Sequence, residues 1–172
     1  MAKFWGMFSL TVLILSLISH VLTFIPGVSI SMSMVWALHL GAMLVFAPMV
    51  FSMQRLKKKQ PEKFSGHDIR KYFFPYISRR LSAVCTGVFV YALINFALFI
   101  PRMLSGSPEY INGHYELRSH GNSKKLISKD EFDQLQKYLV RGFSGHWIFL
   151  SLLPTVYFLK VIPVVNSGRN NS

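Results

Sequence analysis

Four long apolar runs, separated by charged or turn-forming segments, dominate the pattern along the chain: Phe4 to Ile25, Met32 to Met53, Leu81 to Ile100 and Trp147 to Pro163. A run of about 20 apolar residues, coiled as an α-helix, crosses a hydrocarbon core of about 30 Å. The pattern therefore predicts an all-α membrane protein, a four-transmembrane-helix bundle with spans near 4–25, 32–53, 81–100 and 144–163. Pro26-Gly27 supplies a tight turn between the first two spans, Pro101 should end the third, and Pro154 should kink the fourth. The first run is longer than a secretory h-region and no small-x-small cleavage site follows it, so it reads as a retained span.

The segments between the runs differ in kind. Residues 102–141 are long enough for a small folded cap. Within them Asn112-Gly113 sits between β-prone residues, a strong hairpin signal, and Gly121-Asn122 offers a second turn, which together predict a three-strand meander. Ser128-Lys-Asp-Glu131 is a capping box, and Phe132, Leu135, Tyr138 and Leu139 recur at helical spacing behind it. That helix should run to about Arg141, where Gly142 is suited to end it and Ser144 to cap the last span afresh, giving an elbow. A continuous helix through both glycines is the alternative, at about 1 kcal/mol per glycine. Residues 54–80 form a basic loop in which Ser65 can cap a short helix with Asp68 in its first turn. Tyr72, Phe73, Phe74 and Tyr76, interleaved with cations, read as an amphipathic element on anionic lipid headgroups, with a protein docking surface as the alternative.

Composition sharpens this picture. The chain has 172 residues, 51% of them hydrophobic, and a formal charge of +12. In a soluble protein such a charge would suggest a nucleic-acid partner, but cations gathered beside membrane spans are a topological signal, so no nucleic acid is expected. Nine Lys and Arg lie in 54–80, and Lys3, Lys160 and Arg169 fall on the same side, making twelve against seven in 102–141. Both termini and the basic loop are then expected in the cytoplasm and the cap outside it. The lone Cys85 lies in an apolar run and cannot form an intramolecular disulfide.

The candidate chemistry lies in one layer. Counted inward from Pro26, Met32, Pro101 and the boundary at Arg141, each run carries a polar group five to seven residues deep: His20, His39, Asn95 and His146. At 1.5 Å per residue these lie roughly 7 to 11 Å below one membrane face. Ser19 belongs to the same layer. Ser9, Ser16, His20 and Thr23 fall within about 60° of one another on the first helix and should face the bundle interior. Ala37-xxx-Gly41 and Ala83-xxx-Gly87 are pairs of small residues that let helices approach.

Three histidines on three spans at one depth could bind haem b or a metal ion, with His114 and His120 as further ligands from the cap. The same layer could instead be a hydrogen-bonded seam joining the helices, or line a pocket for quinone or lipid. No recognised metal spacing, phosphate loop or paired intramembrane carboxylate accompanies it. The sequence Phe-Ser-Gly-His occurs at 64–67 and again at 143–146, two similar helix starts.

The size, the four spans and the intramembrane histidines are superficially similar to membrane cytochromes of the b561 type. That family carries histidine pairs towards both membrane faces, whereas one half of these spans has none, so the resemblance leaves room for a single haem. Tyr115-Glu-Leu-Arg-Ser-His-Gly121, Ser128-Lys-Asp-Glu131-Phe and Arg141-Gly-Phe-Ser-Gly-His-Trp147 resemble a pattern in small uncharacterised bacterial membrane proteins of four spans. The resemblance implies a bacterial inner-membrane protein and brings no activity. The expected role is a non-enzymatic accessory or interaction protein that uses the cap with Arg141, Phe143 and Trp147 to contact another membrane or envelope protein. A single-haem or metal-binding electron-transfer subunit using His20, His39 and His146 is the alternative.

Overall fold

A computed structural model of the chain describes residues 1–28, 30–61, 70–119 and 122–168. It is mostly helical: α1 (Ala2–Leu22), α2 (Met32–Lys59), a short α3 (Arg70–Phe73), α4 (Arg79–Ser105), α5 (Lys129–Val156) and α6 (Ile162–Asn166), with strands β1 (Ser107–Ile111), β2 (His114–Ser119) and β3 (Asn122–Leu126) before α5. A π-helical turn at Tyr157–Val161 joins α5 to α6. Four of these helices, taking α5 to α6 as one, are long and apolar enough to cross a membrane.

Helix ends follow local chemistry. The hydroxyl of Ser31 accepts from the Met34 amide and starts α2, and Lys57, Lys58 and Lys59 fill its last turn, where cations oppose the negative end of the helix dipole. That placement extends the helix six residues past the expected end at Met53. Ser78 caps α4 through the Leu81 amide. Pro101 does not end α4, which runs on to Ser105. A proline removes one amide donor from the ladder but leaves the residues after it free to stay helical.

The helix through Gly142 is likewise uninterrupted, so the elbow expected there is absent. Ser144 caps nothing, because its hydroxyl is turned into the bundle. Each glycine is a point of close approach. A Cβ on Gly142 would stand 2.2 Å from a ring carbon of Phe99, and one on Gly145 2.4 Å from the amide nitrogen of Asn95. The small pairs singled out in the sequence are less used. A Cβ on Gly41 would make ordinary contact with Val12, while Gly87 faces open space. Pro154 lies inside α5, and the irregularity comes three residues later as the π turn.

The arrangement is centred on α5. It packs along α1, α4 and α2, and α1 also packs on α2, while α2 and α4 form no substantial interface with each other among the described residues. Beyond the apolar run, the first turns of α5 carry the antiparallel sheet β1-β2-β3 through ring contacts such as Tyr115 with Phe132, 4.9 Å between centroids. Asn112 and Gly113 both have positive φ, 52° and 85°, which is what a two-residue hairpin turn requires. The second expected turn, at 120–121, lies outside the described residues, as do Ser65, Asp68 and the Phe-Ser-Gly-His copy at 64–67. At the other end, Tyr72, Phe73 and Tyr76 are buried against Tyr157, Val161 and Met49, and of the four aromatics only Phe74 faces outward. They are packed into the protein and so are not offered to a lipid surface.

Candidate functional site

The polar groups of the four apolar runs converge on one stretch of α5, residues 141 to 147. Asn95 on α4 donates from Nδ2 to the carbonyls of Arg141 (2.8 Å) and Gly142 (3.1 Å). Two glycines within the stretch let α4 come near enough for this. His146 stays on its own helix, its Nδ1 bonded to the Gly142 carbonyl at 3.0 Å. His39 on α2 accepts at Nδ1 from the indole Nε1–H of Trp147, 3.2 Å. His20 on α1 reaches both neighbours, with Nδ1 2.6 Å from Ser144 Oγ and Nε2 2.5 Å from the Tyr91 hydroxyl on α4.

For a neutral imidazole, these bonds assign which ring nitrogen carries the proton. Ser144 donates its hydroxyl proton to the Arg141 carbonyl at 3.1 Å, so it accepts from His20 Nδ1–H, and Tyr91 donates to Nε2. The result is a directed chain, Tyr91 to His20 to Ser144 to the Arg141 carbonyl, in which every partner is used. An indole N–H can only donate, so His39 keeps its lone pair at Nδ1 and its proton at Nε2. A carbonyl can only accept, so His146 carries its proton at Nδ1 and a lone pair at Nε2. The three imidazoles share a layer but not a centre. Among the described residues no group of three or more His, Cys, Asp or Glu side chains could hold a metal ion. An iron or other metal on His20 or His39 would have to displace Tyr91 or Trp147 from the lone pair it already occupies.

Above the layer, α5 also closes the end of α1. Arg141 donates from Nε to Thr23 Oγ1 (3.1 Å) and from Nη2 to the Thr23 carbonyl (2.7 Å), with its guanidinium carbon 4.0 Å from the centre of the Phe24 ring. One turn earlier the Lys137 ammonium donates to the Ile25 carbonyl at 3.0 Å. Helix C-termini leave carbonyls without intrahelical donors and carry partial negative charge, and two cations from α5 meet both needs.

Of the residues singled out in the sequence, His20 (through Ser144), Asn95 and His146 meet at the backbone carbonyls of Arg141 and Gly142, while His39 and Trp147 form a separate bonded pair. Phe143 stands between α2 and α4, its ring 6.0 Å from His39 and 5.3 Å from Phe99. Ser19 is buried but bonds back to the Leu15 carbonyl on its own helix. Ser9, Ser16, His20 and Thr23 are all buried, so the polar face of α1 does look inward. His114 sits exposed at the start of β2, and His120 lies outside the described residues. Tyr91, Ser144 and Thr23 complete the contacts as partners that the pattern of apolar runs does not single out. The spacing of Tyr91 and Asn95, one helical turn apart on one face, was the available signal.

No protein-family model, curated protein or solved structure matches the chain.

Proposed function

We propose that the chain is a non-enzymatic integral membrane protein of a bacterial inner membrane, an accessory or interaction subunit that holds its cap as a rigid docking platform. The observation that carries this reading is the unbroken α5. It starts in the capping box at Ser128, carries the sheet on its first turns, and passes through the hydrogen-bonded layer into the longest of the apolar helices. A cap joined in this way cannot swing independently of the span below it. His20, Asn95 and His39 spend bonds on joining helices, a use that favours a structural seam over a reaction centre.

Placement follows the charges. Both termini and the loop 54–80 lie in the cytoplasm, where Lys57, Lys58 and Lys59 meet anionic headgroups, and the cap lies outside. Contact with an envelope protein falls to the outward residues of the sheet, with Tyr110 59% and Leu126 65% exposed. Photocrosslinking residues at Tyr110 or Leu126 should trap one protein of fixed mass, whereas the same residue at Ile94, on the outward face of α4, should trap none. Equal capture from all three positions would overturn the reading. So would a dithionite-reduced Soret band that disappears in His20→Ala or His39→Ala, or the export of a reporter fused after Lys59.

A further inference from the structure

We infer that the groove between α2 and α4, floored by α5, binds the head of a membrane-soluble hydroquinone, and binds it in preference to the oxidised quinone. Because α2 and α4 both pack on α5 and not substantially on each other, the face of α5 bearing Phe143 and His146 is left between them. Phe143 is 36% exposed there, and His39 and His146 are each half-buried on either side of it. Ring contacts line the groove, Trp36 with His39 on one wall and Phe96 with His146, 4.7 Å between centroids, on the other.

The ring nitrogens left over at His39 and His146 are complementary. The bonds to Trp147 and Gly142 leave His39 with an Nε2–H and His146 with an Nε2 lone pair, and neither atom has a partner among the described residues. Inside a bilayer such atoms have little water to turn to, and an unmet donor or acceptor there favours a ligand that can meet it. A groove presenting one donor and one acceptor between aromatic walls fits a flat ring that can both accept and donate. A hydroquinone hydroxyl does both. A quinone carbonyl accepts from His39 but has nothing to give His146, so the same ring after oxidation fills one bond of the two. Binding alone is inferred, with no electron transfer.

The probe is a short-chain alkyl p-benzohydroquinone titrated into the full-length protein in lipid nanodiscs, read by quenching of tryptophan fluorescence. Saturable binding is expected, about tenfold tighter than for the matching quinone and about tenfold tighter than for the hydroquinone dimethyl ether, which accepts but cannot donate. His146→Phe should lose the discrimination between the diol and its ether, and His146→Gln, which keeps an acceptor, should retain part of it. The ether comparison needs no variant and so stands if a substitution fails to fold. Linear quenching without saturation, equal affinity for diol, ether and quinone, or unchanged discrimination in a folded His146→Phe protein would each overturn the inference.

Discussion

The two ends of the helix bundle are held together by different means. Near the cap the helices are joined by hydrogen bonds between side chains and backbone that cross from α1, α2 and α4 to α5. Near the π turn they are joined by Tyr72, Phe73, Tyr76, Met49, Tyr157 and Val161 in an apolar cluster, with a bond from Tyr157 to Ser52, 3.0 Å, beside it. Lipid tails are as apolar as leucine, so burial of apolar surface gives helices in a bilayer little preference for one neighbour over another. The cap-proximal half obtains that preference from directed bonds and close approach at two glycines. The other half obtains it from shape, filling the space around an irregular helix turn with the aromatics of the segment between α2 and α4 and seating the Leu159 side chain of that turn against Gly6 of α1.

If close approach is what positions α4, the largest loss should come from the glycines. In Gly142→Ala the added methyl would meet three ring carbons of Phe99 between 2.2 and 2.9 Å, and the ring, itself 5% exposed, has little room to retreat. Overpacking of this kind costs about 1–3 kcal/mol, more than the roughly 1 kcal/mol of helix propensity that alanine returns. Equilibrium unfolding in mixed micelles should show a net loss of up to about 2 kcal/mol for Gly142→Ala and no loss for Gly87→Ala, where the space is open. A stabilised Gly142→Ala would mean that α4 does not sit where the Asn95 bonds require.

The next effect isolates the directed bonds. His20→Leu leaves the Tyr91 and Ser144 hydroxyls without their shared partner, and a loss of about 1–2 kcal/mol is expected. Combined with Tyr91→Phe in a double-mutant cycle, it should show a coupling of about 0.5–1.5 kcal/mol, the range found for bonds between helices in membranes. Additive losses would say that the chain of bonds contributes nothing as a unit.

The cap-proximal half was also the more legible of the two. Polar residues are rare in apolar runs, so His20, His39, Asn95 and His146 stood out, and their common distance from the turns placed them in one layer. The hairpin at Asn112-Gly113 and the capping box at Ser128 were legible because local chemistry decides them. What each histidine bonds to was not, since partner choice depends on how far each helix is rotated and how near it stands. The glycines misled for a related reason. Gly142 has a composition suited to ending a helix, and only the position of Phe99 on another helix shows that it is there to let α4 in. Likewise Tyr72, Phe73 and Tyr76 look amphipathic in isolation, and the surface that buries them, around Tyr157, is more than 80 residues away in sequence.

A smaller effect tests the shape-filled half. Tyr157→Phe removes the bond to Ser52 but keeps a ring of the same outline in a site that is 0% exposed. A loss of about 0.5–1 kcal/mol is expected, clearly below that of His20→Leu in the same micelles. Equal losses would erase the distinction between the two ends.

The smallest effect concerns how α5 begins, outside both halves. The Glu131 carboxylate accepts from the Ser128 amide at 3.2 Å and from the Lys125 ammonium at 3.2 Å, and these bonds, the backbone one first, hold its pKa below the ordinary glutamate value. A carboxyl depressed in the folded state contributes above its unfolded pKa and loses that contribution as pH falls through the folded one. The capping box should therefore fray on the acid side of the ordinary glutamate range and stay closed at neutral pH. Amide hydrogen exchange at Ser128 and Glu131 should rise there relative to Val140, which is buried on the same helix. Glu131→Gln keeps an acceptor for the Ser128 amide but cannot titrate, so its exchange should lack that acid-side rise. If wild type and Glu131→Gln open alike as pH falls, the start of α5 is set by the sheet packed on it, and the cap is held to the helix by apolar contact, as the far end of the bundle is.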